Sequence, residues 1–245
     1  MKNNSIDISR RFSGIIRLYG KKKFKNFQSS HICIIGIGGV GSWVGESLAR
    51  HGIGHITLID MDHIAESNIN RQIHALDSTL GKSKVEAMKS RILDINVNCK
   101  VNYHDIFLDE NNISSLISNE YDFVVDAIDQ TKIKILLAEY CLNNKIPLII
   151  NGAAGGKISP ELIKVDFLGK AFGDPLLAKI RKYFNKKNKK DLKIPTVFSS
   201  QDVIKPKKIE SNKPITGLNC AGYGSSANVT ASFAFLTASY ILSKL

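Results

Sequence analysis

Residues 31–41 read H-I-C-I-I-G-I-G-G-V-G, and the change of texture at Gly36 decides the fold. His31 to Ile35 is a short apolar, β-branched run, the pattern of a strand buried on both faces, and it breaks into glycines. A helical pattern follows from about Val40 to Arg50. Gly36, Gly38, Gly39 and Gly41 therefore stand between a strand and a helix. In that setting G-x-G-x-x-G has a mechanism: a tight turn, close approach of the backbone to phosphate, and a helix N-terminus facing negative charge. His55 to Ile59 is a second buried run, and it ends at Asp60, 19 residues after Gly41. A carboxylate there accepts hydrogen bonds from ribose hydroxyls. Alone, this fingerprint suits NAD, FAD, S-adenosylmethionine or ATP.

Working outward, Lys82 to Ile95 carries apolar residues at 85, 88, 92 and 95, a helical spacing. Val101–Tyr103, Phe123–Val125 and Ile146–Ile150 read as strands, and Lys132–Asn143 as a helix. Strands alternating with helices predict an α/β fold with a doubly wound, Rossmann-like, mostly parallel sheet. After Gly156 the V-D-F and T-V-F-S segments near 165 and 197 predict antiparallel or edge strands, and Ala227 to Leu242 a terminal helix. Residues 1–155 are thus expected to form the nucleotide-type domain and 156–245 an elaboration packed on it. Arg181 to Lys193 holds seven basic residues against one aspartate, a density that predicts a mobile, solvated loop.

The whole chain has 245 residues, 43% of them apolar and 23% charged, enough for a sizeable core without staples. Its net charge of +12 favours anionic partners such as nucleic acid or nucleotides. The four cysteines at 33, 99, 141 and 220 form no C-x-x-C pair, so neither a disulfide scaffold nor a structural zinc is indicated, and a reducing cytoplasm is the expected compartment. The N-terminus lacks the apolar core of a secretory signal. Although no charge falls between Lys213 and Lys244, the Ser, Thr, Asn and Gly content there suits a buried helix better than a membrane span, and no stable membrane partner is expected.

Further residues separate the nucleotides. Asp60-x-Asp62 is followed by Ser67-Asn68-Ile69-Asn70-Arg71-Gln72, by Gly81-Lys82-Ser83-Lys84 at a helix start, and by Asp126-Ala127-Ile128-Asp129 at a strand end. In an open parallel sheet these points share one crevice at the carboxyl ends of the strands. A triphosphate needs cationic groups on its phosphates and a carboxylate for a metal ion, which a hydride cofactor does not. Arg71, Lys84 and Asp129 supply that set.

These motifs resemble the adenylating domain shared by ubiquitin-activating enzymes and their bacterial relatives, over residues 10 to 155. Arg11-Phe12-x-Gly14-x-x-Arg17-Leu18-Tyr19-Gly20, Asn70 to Leu76, Asn151-Gly152-Ala153-Ala154-Gly155-Gly156, Asp174-Pro175-Leu176 and Cys220-x-Gly222-x-Gly224 extend the likeness over nearly the whole chain. They resemble the bacterial tRNA threonylcarbamoyladenosine dehydratases. The resemblance implies ATP-dependent activation of the threonyl carboxylate of the modified adenosine, then ring closure with net loss of water. It also implies a homodimer, a tRNA substrate and a cysteine-desulfurase or sulfur-acceptor accessory protein. Carried onto this chain, Gly36, Gly38, Gly39, Gly41, Asp60, Asp62, Asn68, Asn70, Arg71, Gln72, Lys84 and Asp129 form the ATP site. Arg71, Lys84 and Asp129 carry the chemistry, and Asp129 holds the cation, divalent such as Mg²⁺ or monovalent.

Two departures from the wider family stand out. Where relatives carry an arginine finger this chain has Gly14, leaving Arg11 or Arg17 as substitutes or as structural residues. The paired C-x-x-C zinc site of carrier-protein activators is missing, which weighs against adenylation of a small sulfur-carrier protein, while Arg71, Lys84 and Asp129 weigh against a nicotinamide oxidoreductase or redox sensor. With tRNA as substrate, Arg181, Lys182, Lys186, Lys187, Lys189 and Lys190 become candidates for phosphate contact, and Tyr183 and Phe184 for stacking on a base. Cys220 is read as structural or incidental, Cys33 as core, and His74 and His104 as structural histidines.

Overall fold

The computed structural model describes residues 7–188, 192–205 and 223–245. Three short helices, α1 (Ile8–Arg11), α2 (Ser13–Tyr19) and α3 (Lys21–Ser29), lead into β1 (His31–Ile35) and α4 (Gly41–Arg50). Then come β2 (His55–Ile59), α5 (Lys84–Ile95), β3 (Lys100–His104), α6 (Ile113–Leu116), β4 (Phe123–Asp126), α7 (Thr131–Asn144) and β5 (Leu148–Asn151). The remainder supplies β6 (Ile163–Phe167), α8 (Pro175–Lys186), β7 (Pro195–Ser199) and α9 (Ala227–Lys244).

One seven-stranded sheet runs in the order β3-β2-β1-β4-β5-β7-β6. Every pairing is parallel except β6 with β7, so the expected doubly wound sheet with an antiparallel addition is what forms. The central strand explains its own composition. Ile32 and Ile34 of β1 pack with Val44 and Leu48 of α4 and Phe233 of α9, whereas Cys33 and Ile35 pack with Leu137, Ala138 and Cys141 of α7. Because alternate side chains enter opposite cores, a strand covered on both faces has no polar positions. α9 lies in the first of those cores, burying Val229, Phe233, Ala234, Ala238 and Ile241. Among the described residues no helix is long and apolar enough to cross a membrane.

The basic segment differs from expectation. Asp174 caps α8 by accepting from the Leu176 and Leu177 amides at 2.8 and 3.1 Å, with Pro175 in the first turn. Leu177, Ile180 and Phe184 then form a buried stripe, and the helix runs to Lys186. Arg181 to Lys186 is therefore the end of an amphipathic helix and not a mobile loop, its charges lying outside a stripe that begins before the basic run. Phe184 is fully buried and unavailable to stack on a base, while the Tyr183 hydroxyl donates to Glu139 at 2.7 Å. Lys189, Lys190 and Cys220 lie outside the described residues.

Candidate active site

The glycine loop leaves β1 at the carboxyl edge of the sheet, between the exits of β2 and β4. Gly36 adopts φ +86°, and a Cβ there would lie 2.7 Å from the Ala127 carbonyl oxygen, so only glycine lets the loop press against the chain leaving β4. Gly38 is different. A Cβ on it would meet nothing nearer than the Gln72 amide nitrogen at 3.8 Å, which leaves the loop open on the side where a phosphate would approach.

Asp60 fastens this loop to the end of β2. Its carboxylate accepts from the Ile37 amide through one oxygen and from the Asp62 amide, at 2.8 Å, through the other. Burial pushes its pKa up while the Lys84 charge and the two amides pull it down. Each oxygen keeps a lone pair after these bonds, so acceptance from a ribose hydroxyl is compatible with the clamp. Asp62 holds the Lys84 ammonium at 2.7 Å, with Lys84 almost wholly buried at the start of α5.

The segment between these elements folds over the glycine loop. Arg71 donates to the Ser67 carbonyl at 2.7 Å and to Asn70 Oδ1 at 3.0 Å, and its stem passes 3.5 Å from a Cβ built on Gly39. Gln72 is buried, and its side-chain oxygen has no hydrogen-bond partner. An orphaned acceptor beside an open glycine is costly unless a ligand donates to it, and this observation fits the residues to a nucleotide. Asn68 and Asn70 act on the protein itself: Asn68 Oδ1 accepts from the Ala65 amide at 3.1 Å, and Asn70 Nδ2 donates to Ser225 O at 2.8 Å, tying the loop to the segment before α9.

Asp129 follows the β4 exit and is exposed. Asp126, three residues earlier, is fully buried, accepting from Lys134 Nζ at 2.8 Å and from the Ile128 amide at 3.1 Å. Lys134 also donates to Asn151 O at 2.7 Å, and Thr237 of α9 donates to Asn151 Oδ1 at 2.7 Å. Among the described residues no group of three or more His, Cys, Asp or Glu side chains is gathered as for a metal ion. A cation held here by Asp129 would rely on phosphate oxygens and water, the usual arrangement for Mg²⁺.

The two arginine-finger candidates part company. Arg11 Nη1 donates to Ile95 O at 2.8 Å and Asp94 O at 3.3 Å, closing the C-terminus of α5 in its own chain, whereas Arg17 is exposed on α2. Lys182, Lys186 and Lys187 sit exposed on or just after α8, with Lys187 paired to Glu139 at 2.6 Å. His74, read from the sequence as a structural histidine, is one, whereas two buried lysines that shape this edge were not singled out. His74 is buried, and its Nε2–H donates to Ile37 O of the glycine loop at 2.9 Å; burial lowers its pKa to about 4. Lys134 and Lys157 are buried lysines inside ordinary helix and loop patterns, and nothing local marks them. Asp174 did carry a signal, since Asp followed by Pro announces a helix start. Its other oxygen accepts from the Ala153 amide at 2.7 Å, so two of the quoted motifs bind each other.

Residues 11–215 match the ThiF family. A tRNA threonylcarbamoyladenosine dehydratase from Haemophilus influenzae is 45% identical, covering 96% of this chain and 93% of its own. Crystal structures of the Escherichia coli tRNA N6-threonylcarbamoyladenosine dehydratase TcdA, one with AMP and one with ATP, superpose with a TM-score of 0.87 at 42% identity. Each covers 96% of this chain, and 94% and 93% of their own chains are covered in turn. The agreement spans the glycine-loop half and the β6–α8–β7 half alike, and on that ground the chain belongs to the ThiF family, among its tRNA threonylcarbamoyladenosine dehydratases.

Proposed function

We propose that the protein catalyses the ATP-dependent dehydration of threonylcarbamoyladenosine in tRNA through adenylation of its threonyl carboxylate. The observation that carries this reading is the open glycine loop at Gly38, beside the buried Gln72 side chain whose oxygen is orphaned, with Arg71 and the Asp62–Lys84 pair on the neighbouring segments. It is joined by the near-complete coverage by dehydratases, two of whose crystal structures hold AMP and ATP. A carboxylate is a poor electrophile; transfer of the adenylyl group of ATP to it, with release of pyrophosphate, gives a mixed anhydride from which AMP leaves when the nucleophile attacks.

In this reading the loop backbone and the start of α4 receive the phosphates. Asp60 orients the ribose, and Gln72 accepts a hydrogen bond from the bound nucleotide. Arg71 and Lys84 offset charge that builds on the phosphates, with Asp62 holding the Lys84 ammonium in place. Asp129 positions the cation. Loss of water then needs only an internal nucleophile of the substrate, so the chain's task is to hold the activated carboxyl and exclude bulk water. The protein acts as a homodimer, a reading supported by large apolar side chains left exposed, among them Leu76 at 50% and Phe235 at 49%.

The test is direct. Protein and ATP are incubated with tRNA bearing or lacking the modification, and nucleosides are analysed by mass spectrometry. AMP release together with loss of one water from the modified nucleoside is expected, and Asp129→Asn should lower turnover at least a hundredfold with tRNA binding unchanged. AMP formation on a carrier-protein C-terminus, with no change in the nucleoside, would replace this reading with the sulfur-carrier one.

A further inference from the structure

Beyond the glycine loop, the loops around β7 and the start of α8 line a wide-mouthed surface cavity of about 470 Å³, with Phe172, Gly173, Pro175, Arg181, Asp202 and Val203 among its walls. That size lies in the range of small-ligand sites. Its place in the fold follows from Asp174, which caps α8 and accepts from Ala153 at the end of β5, so the cavity opens at the same carboxyl edge as the glycine loop. β5 alone separates β7 from β4, whose exit carries Asp129. Two strand spacings are about 10 Å.

The walls are preformed. Lys157 is buried, and its ammonium donates to Gln201 O at 2.6 Å, Gly173 O at 3.3 Å and Ser199 O at 3.5 Å, which joins the loop before α8 to the loop after β7. Phe172 is fixed without being covered. Its ring meets Phe198 edge-on at 5.6 Å, Lys164 Nζ lies 5.6 Å from its centroid, and 52% of the residue stays exposed. Arg181 Nη1 is buried with no hydrogen-bond partner. A charge-bearing nitrogen left that way is costly, and an arginine kept only for solubility would hold it in water.

An exposed aromatic ring and an arginine with an unpartnered guanidinium nitrogen, lining one open cavity, are the combination that receives an unstacked nucleotide, the base lying on the ring and the phosphate on the arginine. The exposed Asp202 carboxylate offers an acceptor for an exocyclic amine. We infer that this cavity seats an unpaired nucleotide of the RNA substrate, with its base on Phe172 and a phosphate on Arg181. The inference rests on the dehydratase reading and extends it by separating Arg181, which lines a site, from the exposed lysines of α8, which contribute only general positive charge.

The test measures binding of a labelled, threonylcarbamoylated anticodon stem-loop by fluorescence anisotropy across a salt series, alongside KM for RNA and for ATP. Phe172→Leu, which keeps the apolar contact with Phe198, is expected to weaken RNA binding about tenfold, and Phe172→Tyr to restore it. Arg181→Ala should weaken it comparably and reduce the salt slope by about 0.7, with Arg181→Lys recovering most of the slope. KM for ATP should stay as in the wild type throughout. RNA affinity within twofold of wild type in both Phe172→Leu and Arg181→Ala overturns the proposal, as does a KM for ATP that rises in step with that for RNA. Failure of the reaction reading would look different: the wild-type protein would dehydrate nothing, whereas the affinity ratios of the variants would still report on the cavity.

Discussion

At the β1–β2 end of the carboxyl edge the loops hang on a carboxylate, Asp60, which takes the amides of Ile37 and Asp62. At the β5–β7 end they hang on an ammonium, Lys157, which takes three carbonyls. The first clamp joins residues 23 positions apart and leaves the glycine loop open to an anion. The second reaches 44 positions along the chain and ties two loops into a wall. Between them runs the seam of Asp126, Lys134, Asn151 and Thr237, which connects β4, α7, β5 and α9 without touching solvent. The acidic clamp thus leaves a loop with open space beside Gly38, whereas the basic clamp ties two loops to one buried ammonium.

The comparison breaks most severely at the seam. Lys134→Ala would leave the Asp126 carboxyl buried and unpaired, and denaturant unfolding should show a loss of about 3–5 kcal/mol. The added change Asp126→Asn should recover part of it, because burial already pushes that carboxyl's pKa up. A loss below about 1 kcal/mol in Lys134→Ala would mean that the two ends are not coupled through this pair.

Acid should loosen the glycine-loop end next. His74 is neutral in the fold, its pKa lowered by burial from 6.5 to about 4. The unfolded chain therefore binds the extra proton across that window, so stability rises with pH from about 4 to 6.5 and is lost as pH falls through it, by up to about 3 kcal/mol. His74→Gln should flatten the profile measured by thermal melting between pH 4 and 7. An undiminished slope would move the titration to the opposite edge, where His31, stacked on His55, has its pKa lowered to about 4, first by burial.

Removing the Asp174 cap is a smaller change at the rigid end. Asp174→Ala strips acceptors from the Leu176, Leu177 and Ala153 amides and should cost about 1–2 kcal/mol. Hydrogen exchange should quicken at 153 and in the first turn of α8 while the glycine loop is unmoved, and uniform quickening would dissolve the distinction between the ends. Smallest in stability but sharpest in meaning is Gly38→Ala. Open space at this position predicts a change within about 0.5 kcal/mol, yet ATP at 100 times its Kd, which should stabilise the wild type by about 2.7 kcal/mol, should stabilise the variant far less. Retained ATP stabilisation would place the phosphates away from Gly38.

The two ends also differ in how much of them could be read in advance. The glycine turn, the acidic residue at the end of β2 and the S-N-x-x-R-Q run each state their role within a short window, because strand, turn and phosphate contact are local backbone matters. α8 was misread since seven basic residues in thirteen outweighed a buried stripe of only three apolar residues that starts upstream of them. Asn68 and Asn70 were assigned to the nucleotide by resemblance, and the fold adds contacts the letters do not announce, Asn68 with the Ala65 amide and Asn70 with Ser225 O.

By itself, then, the sequence determined the alternation that makes a parallel sheet, the glycine loop at its carboxyl edge and the membership of that loop's motifs in one crevice. Hydrophobic period and backbone steric freedom act over a few residues, so they are written in the order of the letters. Only the tertiary structure decided that Lys134 pairs with Asp126, that Asp174 binds Ala153, that Lys157 bolts the far loops together and that Arg11 serves α5. Each of these is a polar group meeting its partner in low dielectric, where an unmade bond is expensive. Which partner it finds depends on which distant segments the packed sheet brings within 3 Å.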